Sequence, residues 1–226
     1  MHTCGVKSDR TIVCWGDNTW GKATPPVGTF ISVSAGDSHT CGVKTDGAVA
    51  CWGRKIYGES TPPKVKFVQV SAGDHHTCGI KTNGAIICWG ENSFGQVTPP
   101  TDTSLTQISA HTNHTCGLHS NDTVACWGAG LFGTSGTGNY GQSAPPDGTF
   151  VSISAGGIHA CGVRTDGTVA CWGDNSHGRA TPPVGTFASV SAGLNSMPTT
   201  ASRRRWSGVK GIRSLPVAAR KASFTT

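Results

Sequence analysis

The chain has little charge, with Asp, Glu, Lys and Arg making up 13% of its 226 residues, and only two Tyr and two Met. No apolar run approaches the roughly 18–20 residues that a helix needs to cross a bilayer, so no membrane span is expected. The opening Met1-His2-Thr3-Cys4 lacks the basic, apolar and small-residue succession of a signal peptide and lies mid-repeat, which predicts a piece of a longer protein or a permuted array. No Gly-x-Ser-x-Gly elbow, P-loop or dinucleotide fingerprint occurs. The sequence therefore gives no ground for hydrolase, NTPase or dinucleotide chemistry, and neither a catalytic residue nor a cofactor is expected. Charge excess is also missing from most of the chain. The net +6 comes from Arg203, Arg204, Arg205, Lys210, Arg213, Arg220 and Lys221, and the rest carries eleven Lys/Arg against twelve Asp/Glu. A nucleic-acid partner is thus expected only through that basic segment.

Cysteine, by contrast, is plentiful and regular. His-x-Cys-Gly (His-Ala-Cys-Gly in the fifth unit), a short linker and Cys-Trp-Gly recur five times, with pairs Cys4/Cys14, Cys41/Cys51, Cys78/Cys88, Cys116/Cys126 and Cys161/Cys171. The first cysteines follow one another at steps of 37, 37, 38 and 45 residues. A unit this short cannot enclose its own core and must stack on its neighbours. With 32 Gly and 12 Pro, the composition favours an all-β array rich in turns.

The second unit shows the local logic. Phe30, Ile31 and Val33 ahead of Ser34-Ala35-Gly36 read as a strand. Thr45-Asp46-Gly47 then separates two further β-forming runs, and Gly47 supplies the positive φ that closes a three-residue hairpin loop. Paired prolines such as Pro62-Pro63 cannot lie in a central strand and mark the connection between units. If Lys44 pairs with Ala48, Val43 faces Val49 and Cys41 faces Cys51 at a non-hydrogen-bonded site, where Cα atoms lie about 4.5 Å apart. That separation suits a disulfide. Five intra-hairpin bridges and an oxidising compartment are expected, against the alternative of ten reduced, core-filling cysteines.

Other groupings read as structural. His39, Cys41 and Cys51 share one hairpin face, but the spacing matches no common zinc ligand pair, and no metal is expected. The imidazole is expected to bond neighbouring backbone. The Trp of each Cys-Trp-Gly reads as packing between units. Asp46 and Asp166 sit where turns favour Asp. Asn113-His114-Thr115 and Asn121-Asp122-Thr123 match glycosylation acceptors.

Departures from the repeat carry the functional expectations. An insertion within Ala129–Tyr140 lengthens the fourth unit and makes Leu131, Phe132 and Tyr140 candidate protein contacts, with a plain glycine loop as the alternative. From about Leu194 the pattern fails, and residues 194–226 read as a disordered or aberrant basic tail beyond a repeat domain at 1–193.

Residues 34–58 and 154–178 show most fully a pattern that resembles the regulator of chromosome condensation repeat family. The resemblance implies a β-propeller of four-stranded blades, normally seven, so about five repeats predict an incomplete, open propeller. A closed ring in which strand Phe187–Ala192 completes the first blade is the alternative. The founding member is a nuclear guanine-nucleotide exchange factor bound to chromatin, and its repeats lack this cysteine pairing. The paired version is similar to crinkly-type plant receptor ectodomains, secreted or envelope-associated bacterial repeat proteins and a secreted β-lactamase-inhibiting propeller. The expected function is accordingly a non-enzymatic, extracellular or envelope-associated scaffold for an unidentified protein partner. The alternative is a nuclear or cytoplasmic exchange factor or chromatin-associated module.

Overall fold

A computed structural model describes residues 1–101, 104–130 and 139–193. Its strands form successive small antiparallel sheets. The first pairs β1 (His2–Val6) with β2 (Ile12–Gly16). The second runs β3 (Phe30–Ala35), β4 (His39–Lys44), β5 (Val49–Gly53), and the third β6 (Phe67–Ala72), β7 (His76–Lys81), β8 (Ile86–Gly90). The fourth runs β9 (Leu105–His111), β10 (His114–His119), β11 (Val124–Gly128), and the fifth β12 (Phe150–Ala155), β13 (His159–Arg164), β14 (Val169–Gly173). Three strands stand in place of the expected four. After Gly53 (φ 101°) the chain passes through turns into Pro62-Pro63, where donors for another ladder are missing.

The hairpin register is the expected one. Lys44 N donates to Ala48 O at 2.7 Å, Val43 faces Val49 and Cys41 faces Cys51. Gly47 has φ 85°, as the turn requires. All ten cysteines are bridged within their hairpins, with Cα separations of 4.0–4.1 Å. The glycine after the first cysteine has a packing reason. A Cβ on Gly42 would lie 2.8 Å from the Phe30 ring, and one on Gly79 would lie 2.6 Å from Phe67. Its absence lets the first strand's aromatic ring lie over the middle strand.

Sheets stack so that hydrophobic clusters form between them. Cys41, Val43, Phe67 and Val70 form one, with Cys51 and Trp89 packed against it. Cys78, Ile80, Leu105, Ile108 and Trp127 form the next. Each Trp therefore packs towards the preceding sheet, and Trp127 is 3% exposed whereas Trp15, in the first sheet, is 58% exposed. First strands also lie side by side. Ser34 Oγ accepts from Ala72 N at 3.0 Å, Ser71 Oγ from Ala110 N at 2.9 Å, and Ser109 Oγ from Ala155 N at 2.9 Å.

The sheets do not close into a ring. Residues 187–192 do not join β1 and β2. Phe187 N donates to Gly167 O at 2.8 Å and Ala192 N to Ser154 Oγ at 3.0 Å. In the third sheet, Phe67 N and Ala72 N make the same bonds to Gly47 O and Ser34 Oγ. The segment thus takes the place of the first strand of a next sheet, and among the described residues no strand pairs with it.

Candidate interaction face at the loop end

The recurrent histidine holds adjacent sheets together. His2 Nε2 lies 2.5 Å from Thr40 Oγ1, His39 Nε2 2.7 Å from Thr77 Oγ1, and His76 Nε2 2.8 Å from Thr115 Oγ1. Thr40 and Thr77 in turn donate to Lys22 O and Glu59 O at 2.9 and 3.1 Å. Their single hydroxyl protons are thereby used, so the His2 and His39 imidazoles must donate through Nε2. The partner is a hydroxyl of the next sheet, not the neighbouring backbone expected from sequence. Desolvation pushes His39 down to about 4 and His76 and His114 to about 3.

The ladder is broken once. Ala160 stands where Thr40, Thr77 and Thr115 stand, and buried His114 has no hydrogen-bond partner at either ring nitrogen. Substituting Ala160→Thr is expected to stabilise the fold by about 1–2 kcal/mol, because it supplies an acceptor to a buried donor. Chemical denaturation of the two proteins checks this, and an unchanged or lowered midpoint would show that the gap cannot hold a hydroxyl.

At one end of the sheets, loops between first and second strands meet loops that follow the third. Arg54 N donates to Ser38 O, Glu91 N to His75 O, and Asp174 N to Ile158 O, at 2.9–3.0 Å. Around the line of first strands this end opens into a cavity of about 180 Å³ lined by His2, Ser34, Asp37, Asp74 and His111 among others. Burial raises the Asp74 carboxyl to about 6, helped by the nearby Asp37 charge. His111 Nδ1 lies 4.0 Å from Asp74 Oδ1.

The loops after the third strands each present a ring to solvent. Trp20, Tyr57, Phe94 and Tyr140 are 61%, 47%, 44% and 45% exposed, and His177 occupies the same register in the fifth unit. Each precedes a glycine at positive φ, between 73° and 81°. The loops are internally fastened. Tyr57 N donates to Glu59 Oε2 at 2.7 Å, while Phe94 N and Tyr140 N donate to Gln96 Oε1 and Gln142 Oε1 at 2.8 Å. Asn18, Asn92 and Asn175 accept from Ala23 N, Val97 N and Ala180 N at 2.9–3.0 Å. Tyr57 links the rings to the cavity mouth, since it lies 5.6 Å from the His75 ring and 5.1 Å from the Arg54 guanidinium.

Of the three contact residues expected from sequence, Tyr140 falls on this face, whereas Leu131 and Phe132 lie outside the described residues, as does 194–226. Trp20, Tyr57 and Phe94 were legible as the column before the second Gly of Trp-Gly-x-x-x-x-Gly. Asp37 and Asp74 carried no signal beyond turn composition. Of the glycosylation acceptors, Asn121 is exposed at a hairpin turn, while Asn113 is half-buried. Among the described residues no group of three or more His, Cys, Asp or Glu is placed to hold a metal ion, and no helix is long and apolar enough to cross a membrane.

This arrangement of disulfide-stapled sheets stacked around a common line defines an open β-propeller-like repeat array. The regulator of chromosome condensation (RCC1) repeat matches at residues 30–59, 67–96 and 150–179, so the chain carries repeats of that family at three positions. No curated protein sequence matches it. Among solved structures it is similar to the entire ectodomain of the Physcomitrella patens receptor kinase CR4, at 27% identity and TM-score 0.68, over 85% of this chain and 54% of that one. It is also similar to the CRINKLY WD40 ectodomain of the Arabidopsis thaliana receptor kinase ACR4, at 24% identity and TM-score 0.53, over 85% and 86% of the two chains. Prp20p from Saccharomyces cerevisiae, described with its binding to Gsp1p and histones, matches at 15% identity and TM-score 0.63, over 79% and 57%. The chain thus spans about half the length of the CR4 ectodomain and of Prp20p.

Proposed function

We propose that this chain is a non-enzymatic, extracellular or envelope-associated scaffold that binds a protein partner through its loop end. The observation that carries the reading is the bridging of all ten cysteines, one disulfide at the same register of every sheet. Such a framework persists in oxidising compartments. The likeness to a receptor-kinase ectodomain supports the same setting. Exposed aromatic side chains on fastened loops suit protein recognition, because large rings give contact area at little entropic cost. Tyr140 belongs to that face.

Nucleotide exchange is the competing reading, and it rests on fold likeness alone. The two are separated by measuring release of a fluorescent guanine nucleotide from a panel of small GTPases. Release at the uncatalysed rate is expected, and a large acceleration would overturn the scaffold reading.

A further inference from the structure

The aromatic column is the least economical feature of the surface. Single exposed apolar residues need no explanation, but an exposed ring repeated at one register of successive units does. Here a ring stands at one register in four successive units, at 44–61% exposure, on loops that their own side chains fasten. Because Asn18, Asn92 and Asn175 are engaged within their loops, their amides are not turned towards a ligand. That favours a protein over a carbohydrate, which would need hydrogen-bonding groups beside the rings.

Charge indicates the partner's chemistry. At this end Lys22 pairs with Asp17 at 2.9 Å, Arg54 approaches Glu59 at 3.9 Å, and Arg179 bonds Asp174. Among the described residues Asp37, Asp74 and Glu91 have no Lys or Arg ion pair. Asp37 and Asp74 line the cavity mouth, and the Tyr57–His75 contact joins that mouth to the rings. Lys44, Lys64, Lys66, Lys81 and Arg164 lie at the opposite, hairpin-turn end, whereas Lys55 is exposed two residues before Tyr57 and Lys22 Nζ donates to Asp37 O at 2.8 Å, leaving both Asp37 carboxylate oxygens without a Lys or Arg partner. Burying Asp74 raises its pKa to about 6, so the fold keeps this carboxylate ionised at neutral pH against a desolvation cost that a cationic partner would relieve.

Resting on the scaffold reading, we propose that Trp20, Tyr57, Phe94 and Tyr140, with Asp37 and Asp74 at the cavity mouth, form the docking surface for a protein segment bearing lysine or arginine side chains. The rings take the apolar and stem portions of the segment, and its cation enters between the two carboxylates. Electrostatic complementarity of this kind sets orientation and association rate, while the rings supply the anchors.

A random-peptide phage library selected on the full chain tests this. Enriched peptides should carry Lys or Arg beside apolar residues. Tyr57→Ala, Phe94→Ala, and the Asp37→Asn/Asp74→Asn double variant should each weaken binding by about ten-fold or more. Val68→Ser and Lys66→Ala, at the turn end, should leave it unchanged. Thermal unfolding of each variant confirms the fold, and Asp74→Asn removes a half-buried charge without breaking an ion pair to Lys or Arg. Acidic peptides, or binding abolished by the turn-end variants instead, would overturn this site while leaving the scaffold reading standing. Selection of no peptide would overturn both. Capture of a glycan from an array, lost on Tyr57→Ala, would replace the protein segment with a carbohydrate and overturn the proposal.

Discussion

Lowering the pH from 7 to 4 is expected to remove most of the stability of the array while its disulfides stay closed. His39, His76 and His114 are buried neutral, with pKa values of about 4, 3 and 3 against an unfolded value of 6.5. A base whose folded pKa is depressed contributes stability that is complete above 6.5 and disappears as the pH falls towards the folded value. The unfolded chain takes up protons across that window and the folded one does not. Asp74 acts in the opposite sense, because its raised pKa of about 6 means that the folded carboxyl gains protons first, relieving a penalty between about pH 6 and 4. Three imidazoles outweigh one carboxyl, and the net loss by pH 4 is on the order of 5–10 kcal/mol, comparable with the whole stability of a domain. Urea titrations at pH 7, 5.5 and 4 measure it. A midpoint that holds steady down to pH 4 would mean that the imidazoles are not buried in their neutral form. His76 is the most informative single position, since it is fully buried and bonded to Thr115. In His76→Gln the pH dependence should become shallower by about one proton.

Reduction should be as damaging. Each bridge spans ten residues of separation, for which loop-closure entropy gives about 2.5–3 kcal/mol. Five of them sum to on the order of 13 kcal/mol, as much as a whole domain ordinarily has. Incubation with a phosphine reductant at neutral pH is therefore expected to abolish the cooperative thermal transition. Bridges in the interior should matter more than the first. Cys78 is fully buried in the cluster between sheets three and four, whereas Cys4 and Cys14 are only half-buried. Replacing Cys78 and Cys88 by Ala should cost about 3 kcal/mol of loop entropy plus about 1–2 kcal/mol of packing. The equivalent change at Cys4 and Cys14 should cost the first term alone. A reduced protein that melts within a few degrees of the oxidised one would show that the stacking clusters suffice without the staples.

How legible this was from sequence follows the range of the interactions. The hairpin register was readable because one turn residue, Gly47, fixes it locally, and the opposed cysteines follow by period two. Stacking was readable because a unit of 37 residues cannot bury its own face. The count of three strands per sheet in place of the four that the family resemblance implies turns on Pro62-Pro63, which both marks the connection between units and withdraws the amide donors another strand would need. The role of residues 187–192 depended on which end of the array they meet, which no local pattern encodes. The His–Thr ladder joins residues 38 or 39 positions apart, such as His39 with Thr77, and can be seen only once adjacent sheets are placed. The aromatic column was visible in principle. Trp, Tyr and Phe alternate at that register, so it is a repeated property with no repeated letter.

Stability and recognition meet at the loops. The same Glu59 whose carbonyl accepts from Thr77 and Trp89 also fastens the Tyr57 backbone with its carboxylate. Gln96 and Gln142 do the same for Trp127 and Phe94 and for Trp172 and Tyr140, so in these three units one residue sets both the inter-sheet bond and the presentation of the ring.

Disulfide mapping of the native protein tests the central claim most directly. Protein purified without reductant, alkylated in denaturant and digested at low pH should yield five linked peptide pairs, Cys4–Cys14, Cys41–Cys51, Cys78–Cys88, Cys116–Cys126 and Cys161–Cys171, with no alkylated cysteine. Ten alkylated cysteines, or bridges between different sheets, would contradict the account of a stapled, extracellular-type scaffold.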